Sequence, residues 1–161
     1  MASTTFSGPV TSTNGFIGDI TGNVTGNVTG NITGNIAGSG SITHATSAAI
    51  NATAVATAAQ VATGYITSTS AAATAITLPT GTLLGAALGA VRGTVFDLYV
   101  DNTAGASTVT MVVAVNGILS SAAADTAGSF GDLTIAAGAT GIARFTLMFA
   151  SATAYTFTRT A

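Results

Sequence analysis

The chain of 161 residues contains no cysteine, tryptophan, lysine or glutamate. Lack of cysteine excludes disulfides and thiolate metal sites. Charged residues make up 5% of the chain, against about 25% in an average soluble domain. The cations are Arg92, Arg144 and Arg159, the carboxylates Asp19, Asp97, Asp101, Asp125 and Asp132, and the net charge is −2. Nucleic-acid affinity comes largely from Lys and Arg neutralising phosphates, so no nucleic-acid partner is expected. General acid–base chemistry would rest on His44 and a few aspartates. No enzyme, catalytic residue, cofactor or metal is therefore expected.

Long apolar runs are also missing. The nearest, Leu78–Val91, opens on Leu-Pro, is interrupted by Thr and Gly, and ends at Arg92. A spanning helix needs roughly 18–20 apolar residues, so no membrane partner is expected. The opening Met1–Phe6 has no basic or apolar signal-peptide region, and secretion is not expected.

What is present is lopsided. Ala, Thr and Gly supply 33, 31 and 20 residues, over half the chain. It is 48% hydrophobic, with a mean hydropathy of +0.63. A lone chain with so few charges would be colloidally poor, so much of its surface is expected to be buried against other copies.

Four regions separate by texture: a lead at 1–19, a tetrapeptide repeat at 20–40, an Ala/Thr-rich neck at 41–73 and a head at 74–161. No charged residue occurs between Asp19 and Arg92. The repeat runs Ile20-Thr-Gly-Asn23, Val24-Thr-Gly-Asn27, Val28-Thr-Gly-Asn31, Ile32-Thr-Gly-Asn35 and Ile36-Ala-Gly-Ser39. Four is a multiple of the strand period of two. An extended chain therefore places Ile20, Val24, Val28, Ile32 and Ile36 with the glycines on one face, and Thr and Asn on the other. One strand can neither bury that row nor pair its own backbone. Several intertwined chains can do both, giving a stalk whose interchain packing is carried by those five β-branched residues. Fully extended it would reach roughly 55–65 Å; Gly-Asn turns would shorten it. A Gly/Thr/Asn linker is the plainer alternative, but it has no need of a β-branched residue at every fourth position.

The neck is ambiguous. Ile50, Ala54, Thr57 and Val61 form a weak heptad-like seam, while alternation as a strand fits nearly as well. A short helix or irregular neck is the reading adopted. The head reads as strands at Thr74–Leu78, Thr94–Val100, Thr108–Val115, Asp132–Ala136, Gly141–Phe149 and Ala154–Arg159, separated by turns. Phe145, Leu147, Phe149, Tyr155 and Phe157 are its expected core. The spacing predicts an antiparallel sandwich or barrel-like head. The fold class is thus all-β: an N-terminal extended stalk of intertwined chains followed by that head.

Candidate chemistry is sparse. His44 lies at the seam of stalk and neck with no carboxylate within 20 residues, and is read as a solvated or axis-facing histidine. Asp97, Asp101 and Asn102 carry oxygen ligands suited to a hard cation, but Asp97 falls in a strand, and Asp101-Asn102 reads better as a hairpin turn. Gly81, Gly85, Gly89 and Gly93 lack the Lys-Ser/Thr of a phosphate loop and predict a tightly packed loop or short helix. Asn23, Asn27, Asn31 and Asn51 match glycosylation triplets but are read as hydrogen-bonding ladder residues. Tyr65, Tyr99 and Tyr155 are scattered along the chain.

The run Gly22–Asn31, passing into an Ala/Thr-rich neck, resembles the stalks of tailed-bacteriophage fibre and head-decoration proteins. The opening Thr5–Phe16 is similar to the start of small phage virion proteins, and Ala75–Pro79 leading into strands resembles the trimeric β domains that such proteins display. The resemblance implies a homotrimer with the major capsid protein as partner, located on the outer capsid surface and made in the host cytoplasm. Residues 1–19 would then dock on the capsid through Phe6, Val10, Phe16 and Ile17. The expected function is capsid decoration, cementing or a head fibre. A tail-fibre protein contacting a host receptor is the alternative; an ice-binding surface is a more distant one.

Overall fold

The computed structural model describes residues 44, 46–114, 117–119 and 133–161. They belong to one compact unit, Ser41–Ala161. The lead and the repeat, and with them Phe6, Val10, Phe16, Ile17, Ile20, Val24, Val28, Ile32 and Ile36, lie outside the described residues.

The chain runs β1 (Ala48–Ala49), β2 (Ala54–Val55), α1 (Ala58–Ala62), β3 (Tyr65–Thr67), β4 (Thr74–Thr77), α2 (Gly81–Leu88), β5 (Val95–Asp101), β6 (Val109–Val112), β7 (Gly117–Leu119), β8 (Thr134–Ile135), β9 (Ile142–Ser151) and β10 (Ala154–Arg159). The fold is mostly β, as the alternating pattern predicts. One sheet has the order β1-β3-β5-β9-β10-β7, the other β2-β4-β6-β8.

These sheets are mixed, whereas the strand spacing predicted antiparallel pairing. Strands β1, β3 and β5 are parallel, as are β2, β4 and β6, and β7 runs parallel to β10. Antiparallel pairing joins β5 to β9, β9 to β10 and β6 to β8. The reason is where the bends lead. After β1 and again after β3 the chain passes into the smaller sheet and returns, so each of β1 to β4 pairs with the strand two places on, and that partner runs the same way. Parallel neighbours need a long crossover, and the intervening strand and short helix supply it. The Asp101-Asn102 bend, expected as a hairpin turn, accordingly carries the chain from one sheet to the other.

The first two turns share a plan of strand, strand, helix. Each helix opens on a threonine: Thr57 accepts a hydrogen bond from the Gln60 N–H, and Thr80 from that of Leu83. Side-chain oxygens at these positions satisfy backbone donors the first helical turn leaves unpaired. Thr57 adds a reciprocal bond from its own N–H to the Gln60 side chain, completing a capping box. Turn is tied to turn by backbone bonds from Ile50 N–H to the Thr67 carbonyl (2.9 Å), Ala56 to Thr77 (2.8 Å) and Leu78 to Val112 (2.8 Å). Side chains add rungs: Asn51 Oδ1 accepts from the Thr69 N–H, and Thr53 Oγ1 from that of Ala75. Asn51 is thus a ladder residue, as read from its context.

Residues 41–73, expected as a neck, are part of this compact unit and supply β1, β2, α1 and β3. Ile50, Val61 and Ile66 are buried in the same core as the head residues. An apolar residue every few positions in an Ala/Thr background fits a sheet turn as well as a helical seam, and burial decides for the turn.

Both sheets feed one core. Phe145, Leu147, Phe149, Tyr155 and Phe157 are buried, as expected from the alternation, together with Ile66, Leu98 and Val100 of the larger sheet and Ile76, Val109, Met111 and Ile135 of the smaller. Phe145 and Phe157 stack with centroids 4.7 Å apart. Helix α2 closes one side, and Leu84 is fully buried. Its Gly85 sits against the backbone carbonyl of Ala152 in the β9–β10 turn, where a Cβ would collide.

Candidate functional site

Residues on the larger sheet facing away from the core alternate with those just named. On β5 they are Val95, Asp97, Tyr99 and Asp101; the register sets Tyr65 of β3 beside Tyr99 and Thr146 of β9 beside Asp97. Tyr65 and Tyr99, scattered in sequence, are therefore neighbours, and both are half-buried. Tyr155 is not with them: it lies in the core, its hydroxyl donating to the Pro79 carbonyl at 3.0 Å.

His44 completes this surface. Its Nδ1 is 2.9 Å from the Thr63 carbonyl. A carbonyl can only accept, so Nδ1 carries the proton, and in the neutral form of the ring Nε2 is then an acceptor. The imidazole lies parallel to Tyr65 (10° between planes, centroids 6.2 Å apart) and 5.6 Å from Tyr99. It can lie so close because residue 64 is glycine. Gly64 has φ +74°, and a Cβ there would occupy the position of the His44 ring. Positive φ strains any L side chain, so backbone and packing both require glycine.

Together His44, Tyr65, Val95, Phe96, Asp97 and Tyr99 line an open cleft of about 580 Å³, within the roughly 300–1,000 Å³ range of small-molecule sites. Asp97 Oδ1 accepts the Thr146 hydroxyl at 2.6 Å; its second oxygen has no partner among the described residues. Beside the cleft, the Tyr65 hydroxyl donates to Asp101 Oδ2 at 2.6 Å, and Asp101 Oδ1 accepts from the Thr103 hydroxyl and N–H. The Thr103 and Tyr65 hydroxyls hold the Asp101 carboxyl below its usual range, against the opposing effect of partial burial. The same bond, with burial and the carboxylate charge, raises the Tyr65 phenol. Asp97 and Asp101 are four strand residues apart, about 13 Å, and Asn102 turns inward. Its amide donates to the Ser107 and Ala136 carbonyls, so the three do not form the oxygen cluster their spacing suggested. Among the described residues no group of three His, Cys, Asp or Glu is placed to hold a metal.

A second surface is apolar. A groove of about 450 Å³ runs between β2, the β4–α2 junction and α2, lined among others by Val55, Leu78, Pro79 and Leu83. Val55 and Leu83 are 68% and 60% exposed. Val91, Val95, Ile142 and Met148 are also more than half exposed. Among the described residues no helix is long and apolar enough to cross a membrane.

Comparison of the chain with protein-family models, curated proteins and solved structures finds no match. The cleft was hidden from the sequence because Tyr65, Tyr99 and His44 meet only once β3 and β5 pair in parallel. The readable signal was the alternation Asp97, Tyr99, Asp101 on one strand face.

Proposed function

We propose that the chain is a virion structural protein of a tailed bacteriophage, a homotrimeric capsid-decoration, cement or head-fibre protein that binds the outer capsid surface. In this reading residues 1–19 dock on the major capsid protein through Phe6, Val10, Phe16 and Ile17, and three copies intertwine through Ile20, Val24, Val28, Ile32 and Ile36. The observation that carries it is the pairing of a Gly-Asn-Val-Thr repeat with a β-rich unit that exposes Val55, Leu83, Val91, Val95, Ile142 and Met148 and has only seven charged residues. Large exposed aliphatic residues on a low-charge surface favour association with other copies.

Light scattering and co-sedimentation with undecorated capsids test it. A species near three times 15.4 kDa that pellets with capsids supports the proposal, and loss of pelleting on deleting residues 1–19 supports the docking role. A stable monomer overturns the intertwined stalk. The alternative, a tail-fibre protein contacting the host surface, is favoured by the aromatic cleft. A trimer that binds host cells and ignores capsids would select it.

A further inference from the structure

We propose that the cleft between His44, Tyr65 and Tyr99 is a binding site for an organic ammonium group. This goes beyond the virion reading and does not depend on it.

Three observations converge. The opening is lined by the aromatic rings of Tyr65, Tyr99 and His44 on one sheet face, while Phe96, on the opposite face of β5, packs against the core. Aromatic faces attract cations within about 6 Å of the centroid, more strongly where water is partly excluded. The hydrogen-bonding atoms left over are mostly acceptors. The Tyr65 hydroxyl is committed to Asp101 and His44 Nδ1–H to Thr63. Among side chains that leaves the second Asp97 oxygen and, in the neutral ring, His44 Nε2 as acceptors, with the Tyr99 hydroxyl as a donor. Finally, no cation lines the cleft. Arg144, the cross-strand neighbour of Tyr99, is outside the lining and its Nε donates to Thr160 Oγ1 at 3.0 Å. A ligand that brings positive charge, an apolar shell and donors fits this inventory. An anion would face the carboxylates, and a neutral polyol would find few donors.

The test uses the full-length protein and NMR of the tyrosine rings, titrated with tetramethylammonium chloride and choline chloride against sodium chloride at equal ionic strength. The neutral isostere 3,3-dimethylbutan-1-ol and methyl glucoside are titrated in parallel. Tyr155, buried in the core, is the internal reference. The expected result is saturable shifts at Tyr65 and Tyr99, but not Tyr155, with both ammonium salts and with neither neutral probe. Asp97→Asn, at an exposed position, should weaken binding about fivefold. Tyr99→Phe, which keeps the ring face, should retain it, and Tyr99→Leu should abolish it. No saturable shift with either salt overturns the proposal. So does equal binding of the isostere, which would mean an apolar cleft only, or binding of the glucoside alone, which would mean a saccharide site.

Discussion

The wound N-terminal half of the unit and its C-terminal hairpin are built on different principles. From β1 to β4 the strands are two to four residues long and parallel, and much of the chain around them is Ala, Ser and Thr. Cohesion there comes from backbone rungs between turns, threonine caps and side-chain rungs such as Asn51 and Thr53. β9 and β10 are ten and six residues long, antiparallel, and place Phe145, Leu147, Phe149, Tyr155 and Phe157 in the core. The difference teaches that small residues let a chain wind tightly but bury little apolar area per residue, so the hydrophobic stabilisation is concentrated in the hairpin.

The largest expected effect sharpens that contrast. Phe145→Ala removes a fully buried ring stacked on Phe157 and should cost about 3–5 kcal/mol, read as a fall in denaturant midpoint. Ala56→Gly, in the wound half, should cost about 1 kcal/mol. Equal costs would break the comparison.

Next comes the joint between the halves. Gly85→Ala pushes a methyl into the Ala152 carbonyl, and overpacking of this kind costs about 1–3 kcal/mol. A thermal melt unchanged from the parent would show that α2 and the hairpin turn move apart freely.

Smaller still are the caps. Thr57→Ala and Thr80→Ala each remove one hydroxyl acceptor and should each cost about 1 kcal/mol; the Thr57 N–H still donates to the Gln60 side chain in the alanine variant. No loss at either site in urea titrations would argue that tertiary packing, not capping, sets the helix starts.

The pH dependence is the finest probe. Asp101, held below its ordinary 3.8 by the Thr103 and Tyr65 hydroxyls, contributes stability that is present above about that pH and lost as pH falls through the lower folded value. Tyr155, pushed up to about 12 by burial, contributes stability fully present below its ordinary 10 and lost as pH rises from there toward 12. Urea midpoints measured across pH should show both limbs; Asp101→Asn should flatten the acid one and also remove the part of the alkaline one that comes from Tyr65, leaving the part due to Tyr155.

Much of the strand content was legible. β4, β5, β9 and β10 lie within about two residues of their predicted bounds because alternating large apolar residues declare a half-buried strand. The hairpin core was readable for the same reason, and the Gly81–Gly93 segment holds a short helix, α2. The wound half was not readable. Two-residue strands carry too few side chains for a period, and Ala and Thr satisfy helix and strand patterns alike, so residues 48–67 looked like a neck. Pairing direction was also out of reach: a turn signal at Asp101-Asn102 says that the chain bends, not which sheet it enters.

For the candidate site, the sequence by itself determined the inventory: one histidine, three tyrosines, a strand that alternates Asp97, Tyr99 and Asp101, and six further charged residues in the whole chain. It also determined that most of the fold would be β, since side-chain alternation is local to each strand. Only the tertiary structure decided that β3 and β5 lie parallel in register, that Gly64 leaves room for the His44 ring, and that two tyrosines 34 positions apart share one cleft with Asp97. The physical reason is that a strand's faces follow from its own residues, whereas its neighbours follow from where the intervening chain can bury its apolar side chains and pair its backbone.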